Sequence, residues 1–361
     1  MDNILNYSTY NLEAYMTPVW KNNIVYHESI MFVPNPVTKE IEPAPLLYIP
    51  DKVVAVQSSD YSIKYKENID YIVENDSIRI TRNSSIPTWK YDEYYLLQPD
   101  AIPIQSASAS ERYVKVANGR EFSRMQLAVT YSHNCKWNGI KPKYEGEKLA
   151  RTIAKLKAKE QLTIVYYGDS IIEGCEASGR NLIKPGMPIF TTMVTEQLRK
   201  SYGYESIDEK NTAVGGTNSE WGKDNAGMMV AIHNPDLVVI GFGMNDSGGN
   251  ISVEAYEQNI RDIIKTVRAN NHSSEFVLVS SSIPNPDCIG WTYLQAEYKN
   301  SLEHIERDTV GVALAPMAQI HEYLLGKKRY DDMNGNGVNH PNDFFARVYA
   351  QTVSQCLIEN L

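Results

Sequence analysis

Residues 162–170 read Leu162-Thr163-Ile164-Val165-Tyr166-Tyr167-Gly168-Asp169-Ser170, an apolar run that stops at three small or polar residues. The run has the length and the β-branched and aromatic content of a buried strand. Gly, Asp and Ser directly after it are typical of a turn. This stretch therefore predicts a strand that leads straight into a serine.

Short apolar strands alternate with amphipathic helices from this point to the C-terminus. We predict strands at 162–167, 207–214, 236–242, 276–282 and 309–314, and helices at 188–201, 220–232, 252–269, 291–307 and 343–359. In the helix 252–269, Tyr256, Ile260 and Ile263 share one face, and Ser252 is suited to cap the first turn. Such alternation indicates an α/β fold with a mainly parallel sheet covered by helices on both faces, in three α/β/α layers.

The first 145 residues have a different pattern. Tyrosine-rich and β-branched runs are separated by Pro, Asn, Asp and Ser, which is typical of short strands and turns. The predicted strands are 23–26, 45–49, 52–56, 62–65, 71–73 and 77–80. Helical spacing of Leu149, Ile153 and Leu156 then marks a boundary. We expect an accessory β-sandwich of the jelly-roll kind over residues 1–145 and the α/β domain over residues 146–361.

Charge and hydropathy exclude several classes of partner. The formal net charge of −9 disfavours nucleic acid, because binding to nucleic acid depends on Lys and Arg. No stretch reaches the roughly 18 apolar residues that a membrane span needs, and the N-terminus lacks the pattern of a signal peptide. We therefore expect a cytoplasmic protein with no membrane partner. A homo-oligomer is compatible with the sequence.

Metal and cofactor sites are not indicated by the sequence. Cys135, Cys175, Cys288 and Cys356 are far apart and lack CxxC spacing. The histidines other than His340 show no ligand spacing to one another or to a cysteine. We therefore expect four free thiols, no metal and no organic cofactor.

Three further polar motifs follow the first in a fixed order. Gly215-Gly216 follows the second predicted strand, Gly243-Met244-Asn245-Asp246 follows the third, and His340-Pro341 precedes the last helix. Because ligands of parallel sheets bind beyond the carboxyl ends of the strands, we expect the first three motifs to meet at one edge. A serine nucleophile, donors for an oxyanion and a histidine base are the groups that acyl transfer requires.

The four motifs together resemble those of the SGNH (GDSL-type) hydrolase superfamily, in which four blocks contribute Ser, Gly, Asn and His in that order. The resemblance covers roughly residues 160–361. It implies that Ser170 attacks an ester carbonyl and that His340 acts as the base. It also implies an oxyanion hole formed by the backbone N–H groups of Ser170 and Gly216 and by the side-chain amide of Asn245.

One position departs from the superfamily pattern. An aspartate often lies three residues before the catalytic histidine and orients it, but the residue here is Gly337. The role falls to Asp343, to Asp332 or to a backbone carbonyl that acts in a Ser-His dyad. Asp343 opens the last predicted helix, where capping is a sufficient role, and we favour the carbonyl.

Several side chains near these motifs are candidates for substrate contact. Asp169 adjoins the serine, and Trp221 and Trp291 follow predicted strands at the active edge, where they are suited to stack on a sugar ring. The alternatives are a loop-bracing role for Asp169 and packing of the two tryptophans under loops. The basic run 327–330 is suited to meet an acidic substrate group, although a solvated face is the simpler interpretation.

A β-sandwich before the hydrolase resembles the architecture of carbohydrate acetyl esterases. We therefore expect a serine esterase that removes short acyl groups, acetyl above all, from a carbohydrate such as an oligosaccharide. The first alternative keeps the chemistry and changes the substrate, as in a thioesterase or a lysophospholipase. The second alternative is a carbohydrate-binding protein whose hydrolase domain is no longer active, although the presence of all four residue types argues against it.

Overall fold

The computed structural model describes residues 4–290 and 294–361. In the N-terminal region, residues 4–145, the elements are α1 (Leu12–Tyr15), β1 (Ile24–Met31), β2 (Ala44–Pro45), β3 (Lys52–Ser58), β4 (Lys64–Tyr65), β5 (Tyr71–Glu74), β6 (Ser77–Ile80), α2 (Tyr91–Tyr94), β7 (Tyr95–Leu96), β8 (Tyr113–Val114), α3 (Arg120–Ser123) and β9 (Gln126–Ser132). The strands form antiparallel sheets in the orders β1-β9-β3-β4, β2-β6-β5 and β7-β8. The antiparallel N-terminal region is confirmed, whereas its jelly-roll topology stays a prediction.

The C-terminal region, residues 146–361, has the predicted α/β architecture. Its elements are α4 (Ala150–Ala158), β10 (Leu162–Gly168), α5 (Ser170–Glu173), α6 (Phe190–Tyr202), β11 (Ile207–Asn211), α7 (Ser219–Met229), β12 (Leu237–Gly241), α8 (Met244–Gly248), α9 (Val253–Asn270), β13 (Glu275–Val279), α10 (Gln295–Asp308), β14 (Val312–Ala315), α11 (Met317–Leu325) and α12 (Asp343–Leu357), with 3₁₀ turns at Ala231–His233 and Tyr330–Asp332. The five strands are parallel, in the order β11-β10-β12-β13-β14. The predicted fold class is confirmed, and the boundary at residue 145 stays a prediction.

The parallel sheet has its switch point at β10. Strand β11 lies on one side of β10 and β12 on the other, so the chain winds in opposite directions from β10. Such a reversal opens a crevice beyond the carboxyl ends of the strands, where ligands of α/β proteins bind. The segments that follow β10, β11 and β12 carry the first three polar motifs into this crevice.

Two apolar cores cover the two faces of the parallel sheet. Val165 and Tyr167 belong to the core formed with α7, α9 and α10, whereas Ile164 and Tyr166 belong to the core formed with α4, α6 and α12. Alternate residues of β10 thus point to opposite faces, as the two-residue period of a strand requires. The result is three layers, with the residues of β10 buried throughout most of its length.

Helix α12 lies between the parallel sheet and the N-terminal region. Residues 344–357 are all buried, although several of them are polar. The Nη2 atom of Arg347 donates to the carbonyls of Tyr26 (2.7 Å) and His27 (2.9 Å). The Nε2 atom of Gln351 donates to the carbonyl of Tyr15 (2.7 Å). The apolar residues of α12 and of β1 belong to one core, so the two regions are packed as one body.

The basic run 327–330 is solvated only in part, because Lys327 is exposed whereas Lys328 is buried. Lys328 is 3% exposed and forms an ion pair with Glu28 of β1, in which both side chains are enclosed. The Glu28 carboxylate also accepts the N–H of Leu47 (2.7 Å) and the hydroxyl of Tyr131 (2.5 Å). A buried carboxylate needs such partners, because burial of an unpaired charge is costly. Lys328 therefore joins the two regions.

Within the described ranges, no helix combines the length and the apolar character that crossing a bilayer requires.

Replacing Lys328 by methionine should destabilise the protein strongly. The Lys328→Met variant leaves the Glu28 carboxylate buried without its cation, which costs about 3–5 kcal/mol. Denaturation by urea, followed by circular dichroism, measures the loss. The Glu28→Gln/Lys328→Met double variant should recover most of the lost free energy, because glutamine keeps hydrogen-bonding capacity without a charge.

The exposed pair Lys90 and Glu93 (3.0 Å) provides the matched control. Lys90→Met should cost less than about 1 kcal/mol, since solvent screens an exposed pair. Equal losses in Lys328→Met and Lys90→Met would show that the buried pair does not support the contact between the two regions.

Candidate active site

The serine and the histidine of the predicted site are in direct contact. Ser170 is the first residue of α5, immediately after β10, and is 6% exposed. The Oγ atom of Ser170 lies 2.9 Å from Nε2 of His340. The imidazole is partly exposed, with 18% of the side chain accessible. A hydroxyl and a base are therefore held within hydrogen-bond distance at the mouth of the crevice.

Asp169 fixes the turn that carries the serine. Its carboxylate accepts the N–H of Ile171 (2.9 Å) and caps α5. The side chain is 2% exposed, and this burial raises the pKa of Asp169 to about 7, although the N–H of Ile171 opposes the rise. The carboxylate is buried beneath the serine, and contact of Asp169 with substrate stays a prediction. Bracing of the loop is the role that its contacts support.

The glycine pair after β11 lies beside the serine. A Cβ atom added to Gly215 would lie 3.6 Å from Cβ of Ser170 and 2.8 Å from a carboxylate oxygen of Glu173. Gly216 has a φ of 79°, in the left-handed region, and an added Cβ would meet nothing within 4 Å. The requirement for glycine at position 216 is therefore conformational, whereas position 215 is sterically restricted.

The third motif is tied to the loop that contains the glycine pair. The Nδ2 atom of Asn245, in α8, donates to the carbonyl of Thr217 (2.8 Å). An amide nitrogen carries two N–H groups, so this bond leaves the second N–H for a substrate oxygen. The carboxylate of Asp246 accepts the N–H groups of Ser219 (3.0 Å) and Gly243 (3.1 Å). Asp246 is fully buried, which raises its pKa, and it locks the second and third motifs together.

Asparagine side chains shape the loop that carries the histidine. Asn334 Oδ1 accepts the N–H groups of Asn336 (2.7 Å) and Gly337 (2.8 Å). Asn336 Oδ1 in turn accepts the N–H groups of residues 338–340, at 2.9, 3.0 and 3.1 Å. These bonds satisfy a buried backbone that has no regular secondary structure. The position of His340 is thus fixed by side chains of its own loop.

Gly337 occupies the position at which the superfamily pattern often has an aspartate. Its φ is 89°, and an added Cβ would lie 2.1 Å from the carbonyl oxygen of Lys115 in the N-terminal region. A backbone atom cannot move aside as a flexible side chain can, so no residue with a Cβ fits there without a rearrangement. The absence of the aspartate therefore has a steric cause.

Glu176 takes the place of that aspartate beside the imidazole. Its Oε1 atom lies 3.3 Å from Nδ1 of His340, and the carboxylate side chain is 7% exposed. Its Oε2 atom accepts the backbone N–H of Gly119, from the N-terminal region, and the Nδ2 group of Asn181 (3.4 Å). The imidazole is therefore held between Ser170 on one side and a buried carboxylate on the other.

The two aspartates that the sequence suggested for this role have other partners. Asp343 accepts the N–H of Ser178 (2.9 Å), and burial raises the pKa of Asp343 to about 6. Asp332 accepts the N–H of Met31 (2.8 Å). The carboxylate in contact with the imidazole is that of Glu176, whereas an orienting role for Asp343 or for a backbone carbonyl stays a prediction. The sequence offered one signal for Glu176, namely an acidic residue shortly after Ser170. Glu176 belongs to no recognised motif, so the signal was not specific.

The remaining candidates at the predicted site are the two tryptophans and the residue types that bind metals. The ring of Trp221 lies 6.1 Å from the ring of Tyr167 and packs against the apolar core, which favours the packing interpretation. Trp291 lies outside the described residues. In the described part of the chain, no group of three His, Cys, Asp or Glu side chains is arranged to hold a metal ion, and all four cysteines are free thiols.

Comparison with known protein families identifies the family. Residues 166–347 match the model of the GDSL-like Lipase/Acylhydrolase family, and the match includes all four polar motifs. The chain belongs to this family. This membership confirms the predicted superfamily. No curated protein matches the sequence significantly.

Solved structures similar to this GDSL-like hydrolase include one- and two-domain esterases. A two-domain esterase active on acetylated mannans, crystallised with mannopentaose, is 23% identical with a TM-score of 0.46 over 60% of this chain and 54% of that chain. A catalytic mutant of Axe2, an acetylxylan esterase from Geobacillus stearothermophilus, is 14% identical with a TM-score of 0.45 over 53% and 92%. A lipase/acylhydrolase from Enterococcus faecalis is 17% identical with a TM-score of 0.42 over 54% and 93%. The match spans about half the length of the two-domain esterase.

Alanine should be tolerated much better at position 216 than at position 337. Both glycines have a positive φ, which costs an alanine about 1–2 kcal/mol. In Gly337→Ala the methyl group also meets the carbonyl of Lys115, so the loss of unfolding free energy should be several times larger than in Gly216→Ala. Urea denaturation of both variants measures the difference. Similar losses would contradict the close approach of Lys115 to the histidine loop.

Proposed function

We propose that this GDSL-like hydrolase is a serine esterase in which Ser170, His340 and Glu176 act together on a short acyl ester of a carbohydrate. The observation that carries the mechanism is the continuous line of contacts from the Ser170 hydroxyl through the imidazole to the Glu176 carboxylate. Membership of the family supplies the reaction class. The geometry of the site supplies the roles.

In the acylation step, Nε2 of His340 takes the proton of Ser170 while Oγ forms a bond to the ester carbonyl carbon. The electron pair of the carbonyl bond moves onto its oxygen and gives a tetrahedral intermediate. When the electron pair returns, the bond to the leaving alcohol breaks and the alcohol receives the proton from Nε2. Water then attacks the acyl-serine by the same route and releases the acid and free Ser170.

The oxyanion of these intermediates requires donors that are in place before the reaction. We assign the role to the backbone N–H groups of Ser170 and Gly216 and to the side-chain amide of Asn245. Removing one such donor typically costs about 2.7–4 kcal/mol of transition-state stabilisation. The bonds of Asn245 to Thr217 and of Asp246 to Ser219 support this assignment, because they fix both donor loops in advance.

Glu176 acts on the reaction through the imidazole and is therefore a positioning residue. By accepting a hydrogen bond from the N–H group at Nδ1, its carboxylate selects the tautomer that leaves Nε2 free to accept the Ser170 proton. The negative charge also stabilises the imidazolium that forms in each step. Gly119 holds the carboxylate in place, so the N-terminal region takes part in orienting the base.

A polar rim favours a small acyl group and a hydroxylated alcohol. The carboxylate of Glu173 lies beside Gly215 and forms an ion pair with Arg180. A charged pair at the edge of the oxyanion loop disfavours a long apolar chain, because its burial against charge would require desolvation. A carbohydrate ester is favoured because a β-rich region precedes the hydrolase region, an arrangement that resembles carbohydrate acetyl esterases. A thioesterase or lysophospholipase is the alternative that the rim argues against.

Loss of the nucleophile should abolish hydrolysis of a chromogenic acetate. Ser170→Ala should lower kcat/KM at least about a thousandfold, because the acyl-serine cannot form. Ser201→Ala, on the exposed face of α6, is the matched control and should keep the wild-type rate. Initial rates measured across acetate, butyrate and octanoate esters then test acyl length. Equal rates for Ser170→Ala and the wild type would remove the proposed mechanism, and a preference for octanoate would favour a lipase.

Glu176→Gln and Asp343→Asn provide a direct comparison of the two acids. Glu176→Gln should lower kcat by about 10²- to 10⁴-fold with little change in KM, because a neutral amide neither fixes the tautomer nor stabilises the imidazolium. Asp343→Asn should keep most of the wild-type kcat. Steady-state kinetics on folded proteins, checked by circular dichroism, distinguish the two. A larger loss of kcat in Asp343→Asn than in Glu176→Gln would reverse the assignment.

A further inference from the structure

A surface cleft of about 540 Å³ lies between the two regions. One wall is formed by residues 58–65 of the N-terminal sheet and the other by residues 182–184 of the C-terminal region. Arg120, Ser123 and Arg124 also line the cleft. Its volume lies within the range of roughly 300–1,000 Å³ that is usual for small-ligand sites. The cleft does not include Ser170 or His340, so it is distinct from the proposed catalytic centre.

The cleft concentrates positive charge in a protein whose formal net charge is −9. Arg120, Arg124 and Lys184 line it with exposed side chains. Among the described lining residues the one carboxylate is that of Asp60, and it already accepts the hydroxyls of Ser58 (2.5 Å) and Ser62.

Two of the three cations have no acidic partner nearby. Arg124 lies 3.9 Å from Glu121, at the limit of an ion pair. Within the described ranges, neither Arg120 nor Lys184 has a carboxylate oxygen within the 4.0 Å of an ion pair. Their charges are therefore available to an anion from outside the chain.

One loop connects this cleft with the catalytic centre. Arg180 donates to the carbonyl of Glu173 (2.8 Å) and pairs with its carboxylate, beside the oxyanion loop. Asn181 donates to Glu176, and the next three residues form the wall of the cleft. On the opposite side, Gly119 contacts Glu176 and Arg120 follows directly in the chain. The cations of the cleft thus lie along a path that begins at the proposed triad.

We propose that this cleft binds an anionic sugar unit of the substrate, whose carboxylate pairs with Arg120 and Lys184. The proposal rests on the proposed function, since an ester at Ser170 would be attached to the same oligosaccharide. Serine hydroxyls at positions 59, 62, 85 and 123 also line the cleft and match the hydrogen-bonding groups of a sugar. A guanidinium group and an ammonium group can both pair with one carboxylate, whereas recognition of a neutral sugar requires no positive charge.

The test compares two acetylated oligosaccharides of the same backbone, one neutral and one carrying a single uronic acid. The wild type should show a lower KM for the acidic substrate at similar kcat. Arg120→Gln/Lys184→Gln should raise the KM for the acidic substrate about three- to tenfold and leave the KM for the neutral one unchanged. Lys157→Gln/Lys265→Gln removes two exposed charges outside the cleft and is the matched control.

A small chromogenic acetate separates this proposal from the proposed function. It is too short to extend into the cleft, so Arg120→Gln/Lys184→Gln should hydrolyse it at the wild-type rate. If the wild type hydrolyses no ester, the proposed function fails, and titration calorimetry with the deacetylated acidic oligosaccharide still tests the cleft. Weaker binding by the double variant would support the cleft. An equal affinity, or an unchanged ratio of acidic to neutral KM, would overturn it.

Discussion

Residues 344–357 of helix α12 are buried, so the charged and amide side chains among them need partners inside the protein. Arg347 and Gln351 donate hydrogen bonds to backbone carbonyls of the N-terminal region. These bonds help to position the helix. Since α12 begins three residues after His340, the contacts that seat the helix also determine where the imidazole lies. The contacts of the imidazole with Ser170 and Glu176 depend on this position of His340.

The N-terminal region also touches the histidine loop and its neighbours directly. The side chain of Gln126 donates to the carbonyl of Asn334 (2.6 Å), and Gly119 donates to Glu176. Together with the buried pair of Lys328 and Glu28, these contacts make the antiparallel region a structural part of the active-site scaffold. The candidate site at the edge of the parallel sheet thus depends on contacts with Glu28, Gly119 and Gln126 of the N-terminal region.

The sequence predicted those parts of the structure that follow from local patterns. The period of β10 and the polar residues at the ends of β10, β11 and β12 were sufficient for the layered fold and for placing the first three motifs after neighbouring strands of the sheet. Contacts across the two regions left no local signal. Within the C-terminal region, Glu176 lies 164 positions from His340, and its place shortly after Ser170 is the one local feature that points to the pair. Lys328 is a lysine in a basic run, which is usual at protein surfaces, and its burial is apparent only from its contact with β1.

The close approach of Lys115 to Gly337 has a consequence for how such an enzyme can change over evolutionary time. An aspartate at position 337 would require the segment after β8, which carries Lys115, to withdraw first, whereas on the proposed mechanism loss of Glu176 would take effect at once. Neither change is accessible alone without an inactive or misfolded intermediate. On the proposed mechanism, the orienting carboxylate therefore has to come from the loop after Ser170 for as long as the two regions stay in contact.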